Sequence, residues 1–231
     1  MLSRFQRPAL PGWVGCVPLG DSVRLACVER AEGQRPSVRW VAEDDWSQAG
    51  STLRRLRGSR NLGRHQLVAL LQRGQYQMVP LDVFEVPREE WKQALRWQFK
   101  DLVSFAVDQA AIDLLEIPAP PAGSARARVL AVAAAQDEIE RLAEPARDAR
   151  TPLKAIDIPE TALRNISSLV EPAERAQALL YVGPYSLLVI TAGGELVQAR
   201  ALDLTAAQVA LPDDDASRQA CFDRAGLELQ R

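Results

Sequence analysis

Cysteine and histidine are scarce in this chain of 231 residues. The three cysteines, Cys16, Cys27 and Cys221, lack CxxC spacing, which argues against a disulfide framework and indicates a reducing compartment. The single histidine, His65, excludes a multi-histidine metal site. No apolar run is long enough to cross a bilayer, and the N-terminus lacks the apolar core of a signal peptide. We therefore expect a cytoplasmic protein.

The charges are nearly balanced, with 28 basic and 30 acidic residues and a pI of about 5.6. No overall field therefore draws the chain to nucleic acid or to anionic lipid. A local basic cluster is formed by Arg54, Arg55, Arg57, Arg60 and Arg64. It allows a contact with nucleic acid or phospholipid, but the dipole of a helix also favours cations at its C-terminal end. We expect a solvated helix end.

Alternating and continuous apolar runs predict an α/β protein. Strands are predicted at residues 13–19, 23–28, 37–42, 65–71, 76–80, 112–118, 128–134, 153–158, 178–182, 186–191 and 196–201. Helices are predicted at residues 48–57, in the first half of 86–115, and at 136–147, 159–170 and 216–230. The strands at 65–71 and 76–80 are interpreted as a pair joined by a turn at Arg73 and Gly74.

The segment at residues 86–115 carries the most distinctive pattern, VPREEWKQALRWQFKDLVSFAVDQAAIDLL. Trp91, Leu95, Leu102 and Val103 are spaced to share one helical stripe. The motifs VP, ALRW, LVSF and VDQAAID occur in the order in which the PilM family has its counterparts. The segment therefore resembles PilM proteins, the actin-like proteins of type IV pilus machines, and most closely their MshI branch, which serves the MSHA pilus.

This resemblance implies an actin-like (ribonuclease H-like) ATPase fold with a small insert subdomain of the FtsA/PilM 1C type. It assigns residues 1–82 to the first lobe, 83–149 to the insert, 150–172 to a return to the first lobe, and 173–231 to the start of an incomplete second lobe. The family's adenosine-binding glycine motif has no counterpart before Arg231, so the C-terminal part is expected to be missing or shortened.

The resemblance also locates two phosphate motifs, both altered. In the first, Gly20, Ser22 and Arg24 match the family, but the family aspartate falls on Pro18. In the second, Gly183 matches, Tyr181 replaces the aspartate, and the nearest counterpart of the phosphate-facing threonine is Ser186. A plain β-turn explains the first motif equally well.

Proline and tyrosine supply no carboxylate to organise Mg²⁺ and water. We expect a pseudo-ATPase with no cofactor, although backbone amides at Gly20 and Gly183 would still permit ATP with Mg²⁺. The alternative is an active ATPase switch whose metal ligand is Asp21, Asp157 or Asp203. A third hypothesis is a filament-forming protein like FtsA.

In the family, a groove at the insert receives the cytoplasmic tail of a PilN-like inner-membrane protein (MshJ-like in this branch). The resemblance implies a non-catalytic scaffold of the pilus assembly platform at the inner face of the inner membrane. Its other partners would be platform proteins, it would bind no nucleic acid, it would reach the membrane only through partners, and homo-oligomerisation stays open. The candidate partner contacts are Trp97, Phe99, Leu102, Phe105 and Ile112. Any of them could instead be a core residue, and we expect Trp97 to contribute most.

Overall fold

The computed structural model describes residues 12–31, 33–83, 86–100, 102–118, 128–210 and 215–229. Its strands are β1 (Trp13–Leu19), β2 (Ser22–Glu29), β3 (Ser37–Asp45), β4 (Gln66–Leu70), β5 (Tyr76–Asp82), β6 (Ala110–Ile117), β7 (Arg128–Ala135), β8 (Leu153–Asp157), β9 (Gln177–Val182), β10 (Ser186–Ala192) and β11 (Glu195–Leu202). Its α-helices are α1 (Ala49–Ser59), α2 (Trp91–Phe99), α3 (Gln136–Asp148), α4 (Pro159–Ser167), α5 (Ala206–Val209) and α6 (Asp215–Leu229).

Three short 3-10 helices lie at Leu62–Arg64, Arg88–Glu90 and Val107–Gln109. The described residues fall into two compact units. The first unit holds those within Met1–Leu115 and Val129–Pro159, and the second holds those within Glu116–Arg128 and Glu160–Arg231. No helix in the described ranges combines the length and apolar character that a membrane crossing requires.

The first unit is built on a five-stranded sheet with the order β3-β2-β1-β4-β8. β1, β2 and β3 are antiparallel neighbours, whereas β4 and β8 run parallel to β1. Because successive side chains point to opposite faces of a strand, Val14 and Cys16 of β1 share one buried face with Leu25 of β2. Helices α1 and α3 cover that face through Leu53 and Ala146.

A second sheet of the first unit has the order β5-β7-β6, and we call it the insert sheet. Its central strand, β7, is buried on both faces, which explains its continuous apolar run. Val129, Ala131 and Ala133 of β7 pack against α2, whereas Ala134 packs against Leu142 of α3. The helix–strand–strand–helix order of α2, β6, β7 and α3 is that of the predicted insert.

The interpretation of residues 65–71 and 76–80 as a strand pair is wrong. β4 is hydrogen-bonded on both sides, by β1 and by β8, so it has no free edge for β5. The chain instead turns at Gly74, whose φ of 93° suits glycine, and carries β5 into the insert sheet.

The second unit contains an antiparallel meander with the order β9-β10-β11. Leu187 and Val189 of the central strand are buried. Gly193 and Gly194 join β10 to β11 with φ of 61° and 77°, the left-handed pair that a type I′ hairpin turn requires. Helix α6 packs against the end of the meander, where Ala225 joins Leu202.

Candidate functional site

Helix α2 offers the insert's largest exposed aromatic side chain. Trp97 is 75% exposed, whereas Leu95 and Phe99 are 0% exposed and pack into the insert core. Leu95 and Phe99 are four residues apart, so they lie on one face of the helix, and Trp97 projects from another. Tryptophan is enriched among the residues that dominate binding interfaces, so this exposed indole is a contact candidate.

Three contacts hold α2 in place. The Trp91 indole N–H donates to the carbonyl oxygen of Val86 over 3.1 Å. The Arg96 guanidinium donates to the carbonyl oxygen of Val107 over 2.6 Å. Lys92 forms an ion pair with a carboxylate of β6 at 2.7 Å. Trp97 therefore projects from a helix fixed at both ends, and ordering it on binding costs little backbone entropy.

The remaining predicted contacts differ in exposure. Leu102 is 46% exposed, and its backbone N–H bonds back to Phe99 in the turn that ends α2. Phe105 and Ile112 are half-buried against the insert core. The predicted stripe is confirmed in part, because Trp91, Leu95 and Val103 pack in one core cluster. It is wrong in two respects: α2 ends at Phe99, and Leu102 is exposed.

The burial of Phe99 removes it from the candidate partner contacts. A side chain with 0% exposure has no surface to present to another molecule in this conformation. Trp97 and Leu102 are thus the two predicted contacts with substantial free surface. Both lie at the C-terminal end of α2.

The β1–β2 hairpin contains the residues predicted as the first altered phosphate motif. Gly20 adopts φ of 63° at the first central position of a two-residue turn, where a type II′ turn favours glycine. The Ser22 hydroxyl donates to the carbonyl oxygen of Leu19 at 3.2 Å. Arg24 forms an ion pair with Glu43 of β3 at 3.1 Å. Both side chains that would face a phosphate are therefore engaged within the sheet.

The β9–β10 hairpin contains the residues predicted as the second altered motif. The backbone N–H of Gly183 donates to the carbonyl oxygen of Tyr185 at 3.0 Å, so this amide is already satisfied. The Tyr181 and Tyr185 rings pack with centroids 5.7 Å apart. Ser186 is fully buried, and its hydroxyl has no hydrogen-bond partner among the described residues. A buried hydroxyl cannot contact a phosphate that enters from solvent.

None of the three carboxylates considered as replacement metal ligands joins a metal-like cluster in the described ranges, and Asp21 is exposed in the β1–β2 turn. Asp157 accepts from the N–H of Ile158 at 2.9 Å, and Asp203 pairs with Arg224 at 3.3 Å. Within the described ranges, no three Asp, Glu, His or Cys side chains converge as a metal site. The residues at the two hairpins therefore do not fit a magnesium-bound phosphate.

One apolar surface of the first unit was missed by the sequence analysis. The sheet face opposite α1 and α3 exposes Trp13, Val38 and Val41, the last of them at 69%. It carries a shallow depression of about 490 Å³ lined by residues that include Val17, Arg24, Ala26 and Glu43. The sequence of β1, WVGCVPL, contains a signal for this surface. Its residues are apolar on both faces of the strand, whereas a strand with one face in water alternates between apolar and polar residues.

The chain matches no established family pattern and no curated protein sequence. Solved structures do match. A chain of the PilM–PilN type IV pilus biogenesis complex aligns over 94% of this chain and 73% of its own length, with a TM-score of 0.66 and 18% identity. This chain has the actin-like fold and shares it with the PilM–PilN complex.

Two further structures share this actin-like fold. The cytoplasmic domain of EpsL, an inner-membrane component of the type II secretion system of Vibrio cholerae, aligns over 83% of this chain and 71% of its own, with a TM-score of 0.56 and 12% identity. A Ppx/GppA phosphatase of Aquifex aeolicus aligns over 95% and 63%, with a TM-score of 0.50 and 12% identity. The predicted actin-like fold class is confirmed.

Proposed function

We propose that this chain is an adaptor of a type IV pilus or related secretion assembly, and that it binds the cytoplasmic tail of a PilN-like inner-membrane protein. The observation that carries the proposal is Trp97, which is 75% exposed on a firmly held helix of a PilM-like fold. Two of the structures that share the fold come from such assemblies, the PilM–PilN complex and EpsL.

The chemistry of such an interface suits the residues at the end of α2. An extended tail binds by placing apolar side chains against a groove and by pairing its backbone groups. Trp97 supplies a large apolar face with one hydrogen-bond donor, and the partly exposed Leu102 extends it. An aromatic residue surrounded by smaller contacts is the usual arrangement of a binding hot spot.

We further propose that this adaptor works without hydrolysing nucleotide. Support comes from both hairpins: Pro18 and Tyr181 stand where the family has carboxylates, Arg24 is paired with Glu43, and Ser186 is buried. Without a carboxylate to position Mg²⁺ and the attacking water, phosphoryl transfer loses its main electrostatic support.

The finer assignment rests on the sequence segment at residues 86–115 alone. We propose an MSHA-type system, in which an MshJ-like protein supplies the cytoplasmic tail that this chain binds. The chain would work there as a scaffold at the cytoplasmic face of the inner membrane. Other platform proteins would complete the assembly.

The test is titration of the whole chain with a synthetic peptide that copies the partner's cytoplasmic tail. We expect saturable binding, and we expect Trp97→Ala to weaken it by about 1–3 kcal/mol. The matched control is Val41→Ala, which truncates an exposed apolar residue on the five-stranded sheet and should leave affinity unchanged. Absence of binding by the unmodified chain, or equal losses in both variants, would contradict the proposal.

A further inference from the structure

The charge of the chain is unevenly distributed. Residues 46–81 contain six arginines and no aspartate or glutamate, which leaves 22 basic and 30 acidic residues elsewhere. A run of 36 residues with charge of one sign lies inside a protein whose net charge is −2. This local excess creates a positive potential that the overall balance hides.

The structure places most of these cations on one exposed surface. Thr52, Leu53 and Leu56 form the buried side of α1, and Arg54 and Arg57, three residues apart, project from its exposed side. The Arg57 side chain folds towards the following 3-10 helix, where a Cβ on Gly63 would lie 3.3 Å from its Nε atom. Arg57 therefore lies beside the 3-10 helix that carries the exposed Arg64.

Few of these cations are neutralised by the protein itself. Arg55 pairs with Asp44 at 2.6 Å. Arg60 lies over the Trp40 ring, 5.2 Å from its centroid. In the described part of the chain, Arg54, Arg57 and Arg64 have no carboxylate oxygen within 4.0 Å. We call the four residues without an ion pair, Arg54, Arg57, Arg60 and Arg64, the arginine face.

A helix dipole does not account for this arrangement. Its preference for cations acts within the last turn, where Arg57 lies and where Arg60 is the C-cap residue, and it does not reach Arg54 or Arg64. Arg54 and Arg64 have no compensating carboxylate among the described residues, so their repulsion of the neighbouring cations is a cost that a solvated helix end does not require. The surface is therefore built for an anion that the chain does not supply.

We propose that the arginine face binds the phosphate headgroups of an anionic phospholipid bilayer. One guanidinium group can donate two parallel hydrogen bonds to a phosphate group. A cluster of several basic residues suffices for adsorption to an anionic leaflet. The choice of lipid rests on the proposed function, because a chain that binds the tail of an inner-membrane protein works within reach of that membrane.

The geometry of Trp40 also disfavours nucleic acid as the ligand. Single-stranded nucleic acid binds by stacking its bases on aromatic rings beside basic residues. Trp40 is half-buried, and the Arg60 guanidinium covers its ring. No exposed aromatic side chain occurs among the described residues from 47 to 75. If the proposal holds, it replaces the expectation that the chain reaches the membrane only through partners.

The experiment is co-sedimentation of the whole chain with vesicles, without any partner peptide. One set is pure phosphatidylcholine, and the other contains about one third phosphatidylglycerol. We expect binding to the anionic vesicles alone, with loss of binding as NaCl rises from about 0.1 to 0.5 M, where the Debye length falls well below 10 Å. Each arginine should contribute about fivefold to partition.

The decisive variant is Arg54→Gln combined with Arg57→Gln and Arg64→Gln, which should lower partition about 100-fold. The matched control replaces Arg39, Arg218 and Arg224 by glutamine, which removes the same charge from ion-paired sites elsewhere. The control should retain most binding, and thermal unfolding should show that both variants are folded.

Three results would overturn the proposal. One is no binding to anionic vesicles, and another is an equal loss in the variant and its control, which would show a net-charge effect. The third is binding of a labelled DNA or RNA oligonucleotide, lost in the arginine variant, by a chain that ignores vesicles. No tail peptide is present in this experiment, so its failure would not contradict the proposed adaptor function. The peptide titration tests that function separately.

Discussion

The Tyr181 side chain lies against Gly183, so closely that a Cβ on this glycine would overlap the phenol oxygen. The same glycine closes the β9–β10 hairpin by donating its N–H to Tyr185. The tyrosine at the predicted position of the second carboxylate therefore packs onto the glycine of the predicted phosphate motif. The hairpin is filled by the protein's own side chains.

This packing predicts a non-additive pair of substitutions. Gly183→Ala should lower the free energy of unfolding by about 1 kcal/mol, because the Tyr181 ring must move away. In a Tyr181→Ala background the same substitution should cost much less, and a double-mutant cycle by urea unfolding measures the difference. Additive losses would show that the ring and the glycine are energetically independent.

Truncation of two aromatic residues of α2 should change the free energy of unfolding by very different amounts. Phe99 is fully buried, so Phe99→Ala should cost about 3–5 kcal/mol in the free energy of unfolding. Trp97, two positions earlier, is mostly in water, so Trp97→Ala should change it by less than about 1 kcal/mol. Chemical denaturation of the two variants checks this, and comparable losses would place Trp97 in the core.

The secondary structure could be predicted from the sequence because local patterns determine it. The predicted strands and helices are present, and their ends differ from the prediction by at most three residues, except that α2 ends four residues before the predicted Val103. Helix α4 is a further miss, since it ends at Ser167 and not at residue 170. The Ser167 hydroxyl is buried against the Thr191 hydroxyl at 2.8 Å, a long-range contact that no local pattern contains.

Strand pairing and side-chain burial were harder to predict. Residues 65–71 and 76–80 are separated by a tight turn, which favours a hairpin, but the later strand β8 occupies the edge of β4 that the hairpin would need. Trp97 and Phe99 look alike in sequence, and only the position of α2 on the insert sheet separates core from surface. In both cases, contacts between residues far apart in the sequence determined the structure, and local patterns did not.

Glu171 gives a prediction about pH. The Thr191 hydroxyl, with smaller contributions from the amides of Gly194 and Gly193, holds the pKa of the Glu171 carboxyl below its ordinary value of 4.5. A carboxyl whose pKa is lower in the folded state stabilises the fold above its unfolded pKa, and this contribution disappears as the pH falls through the folded pKa.

Glu171→Gln should therefore be less stable than the unmodified chain at pH 7, and the difference should shrink as the pH falls below about 4. Urea unfolding of both proteins at pH 7 and pH 3.5 measures this. A stability difference independent of pH would mean that the charge of Glu171 plays no part.

The three cysteines should differ in reactivity. Burial raises the pKa of the Cys16 thiol to about 12. Burial, and then the charge of Glu29, raise the pKa of Cys27. Cys221 is only half-buried on α6. Since the thiolate is the reactive form, a disulfide reagent at pH 8 should modify one thiol quickly in the native chain.

Replacement of Cys221 by serine should abolish that fast phase, whereas all three thiols of the unmodified chain should react after denaturation. Fast labelling of two or more thiols in the native chain would contradict the burial of Cys16 and Cys27. The absorbance of the thiolate that the disulfide reagent releases gives the number of modified cysteines directly.

The central claim is that the chain binds a partner tail without nucleotide chemistry, and one calorimetric experiment tests it most directly. The tail peptide is titrated into the whole chain with and without Mg-ATP, and ATP hydrolysis is followed in the same samples. We predict one saturable isotherm with the same Kd in both conditions and no phosphate release. Binding that requires Mg-ATP, or phosphate release that the tail stimulates, would contradict the claim and restore the ATPase switch.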